Sequence, residues 1–200
     1  MPPQPTRPSL LSRVRDPADQ AAWAEFEATY RDLLLRYCRR CGLSAADAED
    51  VRQIVLLRLV RALPRFRYDP AAGRFHDWLY RVVRNAIADF RACPDPASRA
   101  VLSGSEFERM SIADASPADP LWEQEWRDNH LRRAMVALRE TCDERSVAAF
   151  ERVMHGASLD EVASELGMSY DAVQKSVRRM RKRVEGRIAA QIREEDAPDA

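Results

Sequence analysis

The segment from Ser158 to Arg187 constrains the fold of this chain more than any other stretch. Ser158 and Glu161 have the spacing of a capping box at the start of a short helix. Apolar residues then recur at helical intervals as far as Gly167, where the chain can turn. Ser169 is suited to cap a second helix directly after that turn. Two helices joined in this way predict a helix-turn-helix.

The second of these helices has two chemically different faces. Its apolar stripe is formed by Val173, Val177, Met180 and Val184. The opposite face carries Tyr170, Asp171, Gln174, Lys175, Arg178, Arg179 and Lys182. Between Gln174 and Arg187 there are seven basic residues and one acidic residue. An ordinary helical hairpin with a solvated charged face is the alternative, but the coincidence of motif and charge favours DNA binding.

The charges are distributed unevenly along a chain whose net charge is zero. Residues 1–93 contain 16 basic and 11 acidic residues, and residues 158–193 contain 8 and 5. Residues 94–128 contain 3 basic and 8 acidic residues, and residues 194–200 add four acids. Two basic segments separated by an acidic connector predict two contacts with one nucleic acid.

The apolar periodicity predicts helices throughout the chain and no strands. The predicted helices before the helix-turn-helix run from Asp16 to Gly42, from Ser44 to Pro64, from Phe75 to Ala92, from Asp119 to Leu138 and from Asp143 to Val153. Residues 1–15, rich in proline and arginine, are expected to be disordered at the start. We therefore predict an all-α protein with two small helical domains, residues 16–93 and 121–193, and a flexible linker at residues 94–120.

A second candidate nucleic-acid surface lies at the loop before the third helix and on that helix. Aromatic rings can stack on unpaired bases while guanidinium groups hold phosphates, a combination suited to an unstacked single strand. The candidate residues are Phe66, Arg67, Tyr68, Arg74, Arg81, Arg84 and Asn85. Trp78 and Phe90 of the same helix are interpreted as core residues.

Several classes of function find no support in the sequence. No apolar run approaches the ~20 residues of a membrane-spanning helix, and no signal-peptide core follows the N-terminus, so we expect a cytoplasmic protein. Cys38, Cys41, Cys93 and Cys142 are interpreted as reduced, mostly buried thiols. The Cys38–Cys41 pair has no second pair of ligands, and the three histidines lack ligand spacing, so no metal is predicted. Without a phosphate-binding loop or a catalytic constellation, we predict neither a cofactor nor an enzyme.

Two ordered motifs resemble the bacterial sigma factors. The segments Asp47–Gln53 and Phe75–Arg81, together with Phe66, Arg67 and Asn85, resemble the second conserved region of these proteins. Ser158–Arg187 resembles their fourth region. With only these two regions and a linker, the chain is similar to the extracytoplasmic-function (ECF) group.

The resemblance implies a role for each candidate surface. It implies that Asp47, Glu49, Asp50 and Gln53 bind the β′ clamp helices of core RNA polymerase. The Phe66–Arg74 loop and Asn85 would capture an unstacked base and melt the minus ten promoter element, and the polar face at Tyr170–Lys182 would read the minus thirty-five element. The β flap of the polymerase and an anti-sigma factor are further partners that the resemblance implies.

The chain departs from the family pattern at three places. The second region ends in Asp89–Pro94 without a run of consecutive basic residues, Gln174 stands where many members have arginine, and Asp171 stands where small residues are common. Two other functions remain open from the residues themselves: a dimeric helix-turn-helix repressor or activator, and a protein-interaction adaptor. The acidic helix at Asp47–Gln53 discriminates against the repressor, which has no use for it.

Overall fold

The computed structural model describes residues 9–65, 74–92 and 119–196, and within these ranges every regular element is a helix. The helices are α1 (Leu10–Arg13), α2 (Gln20–Arg40), α3 (Ala45–Ala62, extended by a 3-10 turn at Leu63–Arg65), α4 (Phe75–Ala92), α5 (Pro120–Thr141), α6 (Glu144–Met154), α7 (Leu159–Leu166) and α8 (Tyr170–Glu195). The all-α prediction is confirmed. In the described part of the chain, no helix has the length and apolar character that a bilayer-spanning segment requires.

Side-chain caps set most of the helix boundaries, as the sequence predicts. Ser44 accepts a hydrogen bond of 3.1 Å from the Asp47 amide at the start of α3. Asp143 accepts one of 2.9 Å from the Ser146 amide at the start of α6. Gly42, with φ of 88°, ends α2 in a conformation that favours glycine.

The N-terminal boundaries differ from the prediction. The helix expected to begin at Asp16 begins at Gln20, with Asp19 as its N-cap, because the Asp16 carboxylate instead accepts a hydrogen bond of 2.9 Å from the Ala18 amide and closes a turn. Residues Leu10–Arg13 form a helical turn where disorder is expected. Leu11 and Val14 are buried, and their burial stabilises this segment although its overall composition predicts disorder.

The chain forms two compact units, and the first contains Met1–Arg127 together with Arg193–Ala200. Its helix α3 packs against both α2 and α4. Aromatic side chains fill the core, and the rings of Phe26 and Tyr30 have centroids 4.5 Å apart. Trp78 and Phe90 are buried, which confirms their interpretation as core residues.

The start of α5 also belongs to this first unit. Trp122 is fully buried, and its ring centroid lies 5.1 Å from that of Tyr37. The predicted domain limits of 16–93 and 121–193 stay predictions, and the linker expected at 94–120 lies outside the described residues except for its last two positions.

The second unit spans Asp128–Ile192. Its core combines apolar side chains from parts of α5 and α8 with those of α6 and α7, among them Met135, Phe150, Val162, Val173 and Met180. The three cysteines of the described residues are free thiols, but only Cys38 is buried; Cys41 and Cys142 are half-buried. Burial raises the pKa of the Cys38 thiol to about 12.

Candidate nucleic-acid and polymerase-binding surfaces

The α7–α8 segment has the local hydrogen bonds that its sequence predicts. The Ser158 amide donates a bond of 2.7 Å to the Glu161 carboxylate, and the Glu161 amide donates one of 3.3 Å to the Ser158 hydroxyl. The bonds from the backbone and then the hydroxyl of Ser158 lower the pKa of the Glu161 carboxyl. Gly167 ends α7 with φ of 58°, and Ser169 caps α8 by accepting a bond of 3.3 Å from the Ala172 amide.

Helix α8 divides into a buried and an exposed face at the predicted positions. Val173, Val177, Met180 and Val184 are all buried in the core of the second unit. The predicted DNA-reading side chains are all exposed: Tyr170, Asp171, Gln174, Lys175, Arg178, Arg179 and Lys182. The packing of the apolar stripe therefore determines which side chains the helix presents to solvent.

Four of these exposed residues, Lys175, Arg178, Arg179 and Lys182, border an open groove between α8 and the first turn of α6. Basic side chains of both helices line it: Arg145, Lys175, Arg178, Arg179, Arg181 and Lys182. The acidic residues of the lining are Asp143 and Glu185. A groove with this excess of positive charge attracts a phosphate backbone. Sequence reasoning missed Arg145, because it precedes the helix-turn-helix and no local pattern connects it to the groove.

In the first unit, the structure separates the candidate residues for a single strand. Arg84 is exposed and lies over the ring of Tyr80, with the guanidinium carbon 5.8 Å from the ring centroid. Asn85, beside it on α4, is half-buried. Arg81 is only 5% exposed, so its side chain is covered in the free chain and its predicted contact with DNA stays a prediction.

Arg74 is the candidate residue that immediately precedes α4. Its side chain is exposed and forms ion pairs with Asp77 at 3.1 Å and with Glu123 at 3.3 Å. A contact of Arg74 with DNA therefore competes with two carboxylates of its own unit. Phe66, Arg67 and Tyr68 lie outside the described residues.

The same two carboxylates form a cluster with His76, which is 2% exposed. The imidazole Nε2 lies 2.8 Å from the Glu123 carboxylate, and the ring centroid lies 4.8 Å from that of Trp126. The nearest ligand atoms of His76, Asp77 and Glu123 lie within 4.8 Å of one another, a spacing that a metal ion accepts. Because the Arg74 guanidinium already bonds both carboxylates, a cation would have to displace it, and we interpret the cluster as an ion-pair network.

The predicted polymerase-binding residues on α3 have different local roles. Asp47 accepts a bond of 2.7 Å from the Ser44 hydroxyl and belongs to the cap of the helix. Glu49 bonds Arg52 and Arg31, each at 2.9 Å, and these hydrogen bonds lower the pKa of its carboxyl. Asp50 and Gln53 are exposed, and within the described residues neither side chain forms a hydrogen bond or an ion pair.

Two exposed apolar residues extend this face of α3. Leu57 is 52% exposed and Val60 is 37% exposed. They follow Gln53 by four and seven residues, so Asp50, Gln53, Leu57 and Val60 lie along one side of the helix. The sequence contains a signal for them, since both lie outside the inner stripe of Val51, Val55, Leu59 and Leu63.

A comparison with protein families finds a match that covers part of the first unit. Residues 28–93 match the model of sigma-70 region 2. The matched range includes most of α2, all of α3 and α4, and Arg74, and so contains every described candidate residue of the first unit.

Curated relatives extend the similarity over most of the chain. The ECF RNA polymerase sigma factor SigD of Mycobacterium bovis is 32% identical over 179 residues, covering 86% of this chain and 79% of the relative. SigE of Mycolicibacterium smegmatis, also named an ECF RNA polymerase sigma factor, is 24% identical over 187 residues, which cover 93% of this chain and 69% of the relative. RpoE of Cereibacter sphaeroides, of the same description, is 24% identical over 172 residues, or 85% of this chain and 88% of the relative.

Proposed function

We propose a division of labour among the helices on the premise that this chain belongs to the ECF RNA polymerase sigma factors of the sigma-70 family. As a member of that family, it directs RNA polymerase to promoters. This membership favours the sigma-factor function over the dimeric repressor or activator and the interaction adaptor that the residues themselves leave open. In the proposed mechanism the chain binds and opens DNA and performs no covalent chemistry.

The exposed side of α3 docks on core polymerase, at the β′ clamp helices that the family resemblance implies. Asp50 and Gln53 supply the polar contacts, and Leu57 and Val60 supply an apolar continuation of the same side. Glu49 acts beside this surface, because its bond to Arg31 holds the first turns of α3 against α2, while its bond to Arg52 lies within α3. Charge complementarity makes such a surface specific for its partner.

Promoter melting involves α4 and the loop that precedes it. Arg84 and Arg74 offer cations to phosphates, Asn85 offers an amide to an extruded base, and Phe66, Arg67 and Tyr68 offer rings and a further cation. Unstacking a base step costs roughly a few kcal/mol, which stacking on aromatic rings and contacts with the base edge offset. These contacts exist only when the strand is open, so they favour the melted state.

Helix α8 reads the upstream element in the major groove. The observation that carries this assignment is the exposure of all seven predicted side chains on the face opposite a buried apolar stripe. Residues near the start of a recognition helix reach base edges, and cations further along meet phosphates. The basic groove beside the helix supports the second part of this assignment.

The test is assembly with core polymerase and transcription from promoter duplexes. The double variant Asp50→Arg with Gln53→Ala should lose polymerase binding and promoter-directed transcription while the fold survives, because both side chains are exposed. Glu140→Arg is the matched control, since it makes the same charge change at an exposed position of α5. Pull-down of core polymerase by the double variant at the wild-type level would show that α3 is not the docking surface.

A further inference from the structure

Arg145, in the first turn of α6, binds the end of α7. Its Nη2 donates a hydrogen bond of 2.6 Å to the Leu166 carbonyl and one of 3.0 Å to the Gly167 carbonyl. The last carbonyls of a helix have no partner within the helix and carry a partial negative charge. A guanidinium group is therefore well matched to both the geometry and the charge of this position.

The backbone of the turn leaves these two carbonyls for Arg145. The Met168 amide bonds the Ala163 carbonyl at 2.9 Å, and the Gly167 amide bonds the Ser164 carbonyl at 3.4 Å, a Schellman pattern. The carbonyls of Leu166 and Gly167 come later in the chain than those that this pattern uses. Arg145 completes the turn two residues before Ser169, the cap of α8.

A second residue of the same turn of α6 contacts α8 directly. The Ser146 hydroxyl donates a hydrogen bond of 3.3 Å to the hydroxyl of Ser176, which is 2% exposed. Ser176 follows Lys175 on the recognition helix. The first turn of α6 thus holds the entry to α8 through Arg145 and a point further along α8 through Ser146.

We propose that Arg145 is a positioning residue for promoter reading: by bonding the Leu166 and Gly167 carbonyls, it sets the orientation in which α8 presents Asp171, Gln174 and Lys175 to base edges. This inference rests on the proposed role of α8. It differs from a direct DNA contact, which the exposure of Arg145 in the basic groove also permits. The two roles have different consequences for salt dependence, because only a phosphate contact releases counterions.

The experiment uses holoenzyme assembled from the full chain and core polymerase. Wild-type holoenzyme first selects duplexes from a pool of promoter fragments randomised over the upstream element. The dissociation constants for the best selected duplex and for a duplex with a scrambled upstream element are then measured at several salt concentrations. Their ratio is the discrimination, and the dependence of log Kd on log salt is the salt slope.

Arg145→Ala should lower the discrimination on the order of tenfold, the effect of one bidentate base contact that is no longer aligned. The salt slope should stay at the wild-type value, and Arg145→Lys should recover part of the discrimination. Arg152→Ala is the matched control. Arg152 is also an exposed arginine of α6 that contacts the end of α7, but its ion pair of 3.2 Å is with the side chain of Glu165 and not with the carbonyls of the turn. Its removal should change neither quantity.

Several results would overturn the inference. A salt slope shallower by about one unit with retained discrimination would make Arg145 a phosphate contact. Unchanged discrimination and slope would leave it no role in reading, and an equal loss in Arg152→Ala would show a general loosening of the α6–α7 contact.

If Arg145→Ala does not fold, Arg145→Lys decides: reduced discrimination at an unchanged slope supports the inference, and wild-type discrimination refutes it. If wild-type holoenzyme selects no upstream sequence, the proposed role of α8 fails and the inference fails with it, a result distinct from the failure of Arg145 alone.

Discussion

Tyr37 donates a hydrogen bond of 2.8 Å to Asp119, which follows it by 82 residues in the chain. The Tyr80 hydroxyl donates to the same carboxylate oxygen at 3.0 Å, and the Trp122 amide donates to the other oxygen at 2.8 Å. Asp119 therefore caps α5 and joins its first turn to α2 and α4 within the first unit. Burial alone would raise the pKa of Asp119, but the bonds from Trp122, Tyr37 and Tyr80 outweigh it and lower that pKa.

Asp119→Ala should destabilise the first unit by about 2 kcal/mol, because a cap is lost and two tyrosine hydroxyls lose their acceptor. The contribution of the Asp119 charge to the free energy of unfolding should decrease as the pH falls. Since the folded-state pKa is lowered, the stabilisation is present above the unfolded value of about 3.9 and is lost as pH falls through the folded value. The stability difference between wild type and Asp119→Asn, which keeps a capping side chain, should narrow in that acidic range.

Urea unfolding followed by tryptophan fluorescence measures this effect, because all four tryptophans lie in the first unit. Tyr37→Phe and Tyr80→Phe each remove one of the donors and serve as companion variants. If the difference in free energy of unfolding between wild type and Asp119→Asn stays constant from neutral pH to about pH 3, the charge of Asp119 does not have the assigned role.

Leu57→Glu should weaken the binding of core polymerase by about tenfold or more, since burying a leucine side chain contributes roughly 1.5–3 kcal/mol. The fold should be unaffected, because Leu57 is 52% exposed in the free chain. Titration of labelled polymerase with the full chain measures the change. Leu57→Met keeps an apolar side chain and should bind like wild type. Equal affinity of the glutamate variant and wild type would place Leu57 outside the docking surface.

Asn85→Ala should leave the affinity for closed duplex nearly unchanged and lower the yield of open complex. The proposed contact of Asn85 forms only with an extruded base, so its loss raises the free energy of the melted state alone. Permanganate reactivity of thymines in the downstream element reports melting, and duplex affinity measured in parallel provides the control. Wild-type reactivity together with wild-type preference at that element would remove Asn85 from the site.

Gln174→Ala or Lys175→Ala should relax the sequence preference in the upstream element, by about 1–3 kcal/mol where a bidentate base contact is lost. Lys182, two turns after Lys175, should instead meet a phosphate. Lys182→Ala should then weaken binding to all sequences alike and make the salt slope shallower by about one unit. Holoenzyme binding to upstream variants at several salt concentrations separates the two effects. The opposite pattern, with Lys182 controlling preference and Gln174 the salt slope, would mean that the helix docks in the reverse orientation.

Local sequence patterns predicted the helices of the second unit closely. The capping box of Ser158 and Glu161, the cap at Asp143 and the turn at Gly167 all occur where spacing places them. The exposed and buried faces of α8 also follow from spacing alone. These features depend on residues at most four positions apart, so both partners of each interaction can be recognised within one short segment of the sequence.

Interactions between distant residues were beyond such patterns. One difference is local instead: the first predicted helix starts later than expected, because the Asp16 carboxylate accepts a hydrogen bond from the Ala18 amide and closes a turn rather than capping the helix. Arg81 looks like a DNA contact by its position beside Asn85, but the packing of α4 buries it. The exposed side of α3 was predicted only through its polar residues. Leu57 lies outside the inner apolar stripe of the helix, but spacing alone does not show whether another helix covers it.

The sequence by itself determined the helical class, most helix ends and the charged face that we propose reads DNA, because hydrogen bonds and periodicity within a helix need no distant partner. Only the tertiary structure decided which of these side chains are available. Glu49 is held by Arg31, 18 residues away, and the turn before α8 is held by Arg145, 21 residues before Leu166. Which residues meet across such separations depends on how the helices pack, and packing depends on the shapes of all the contacting side chains at once.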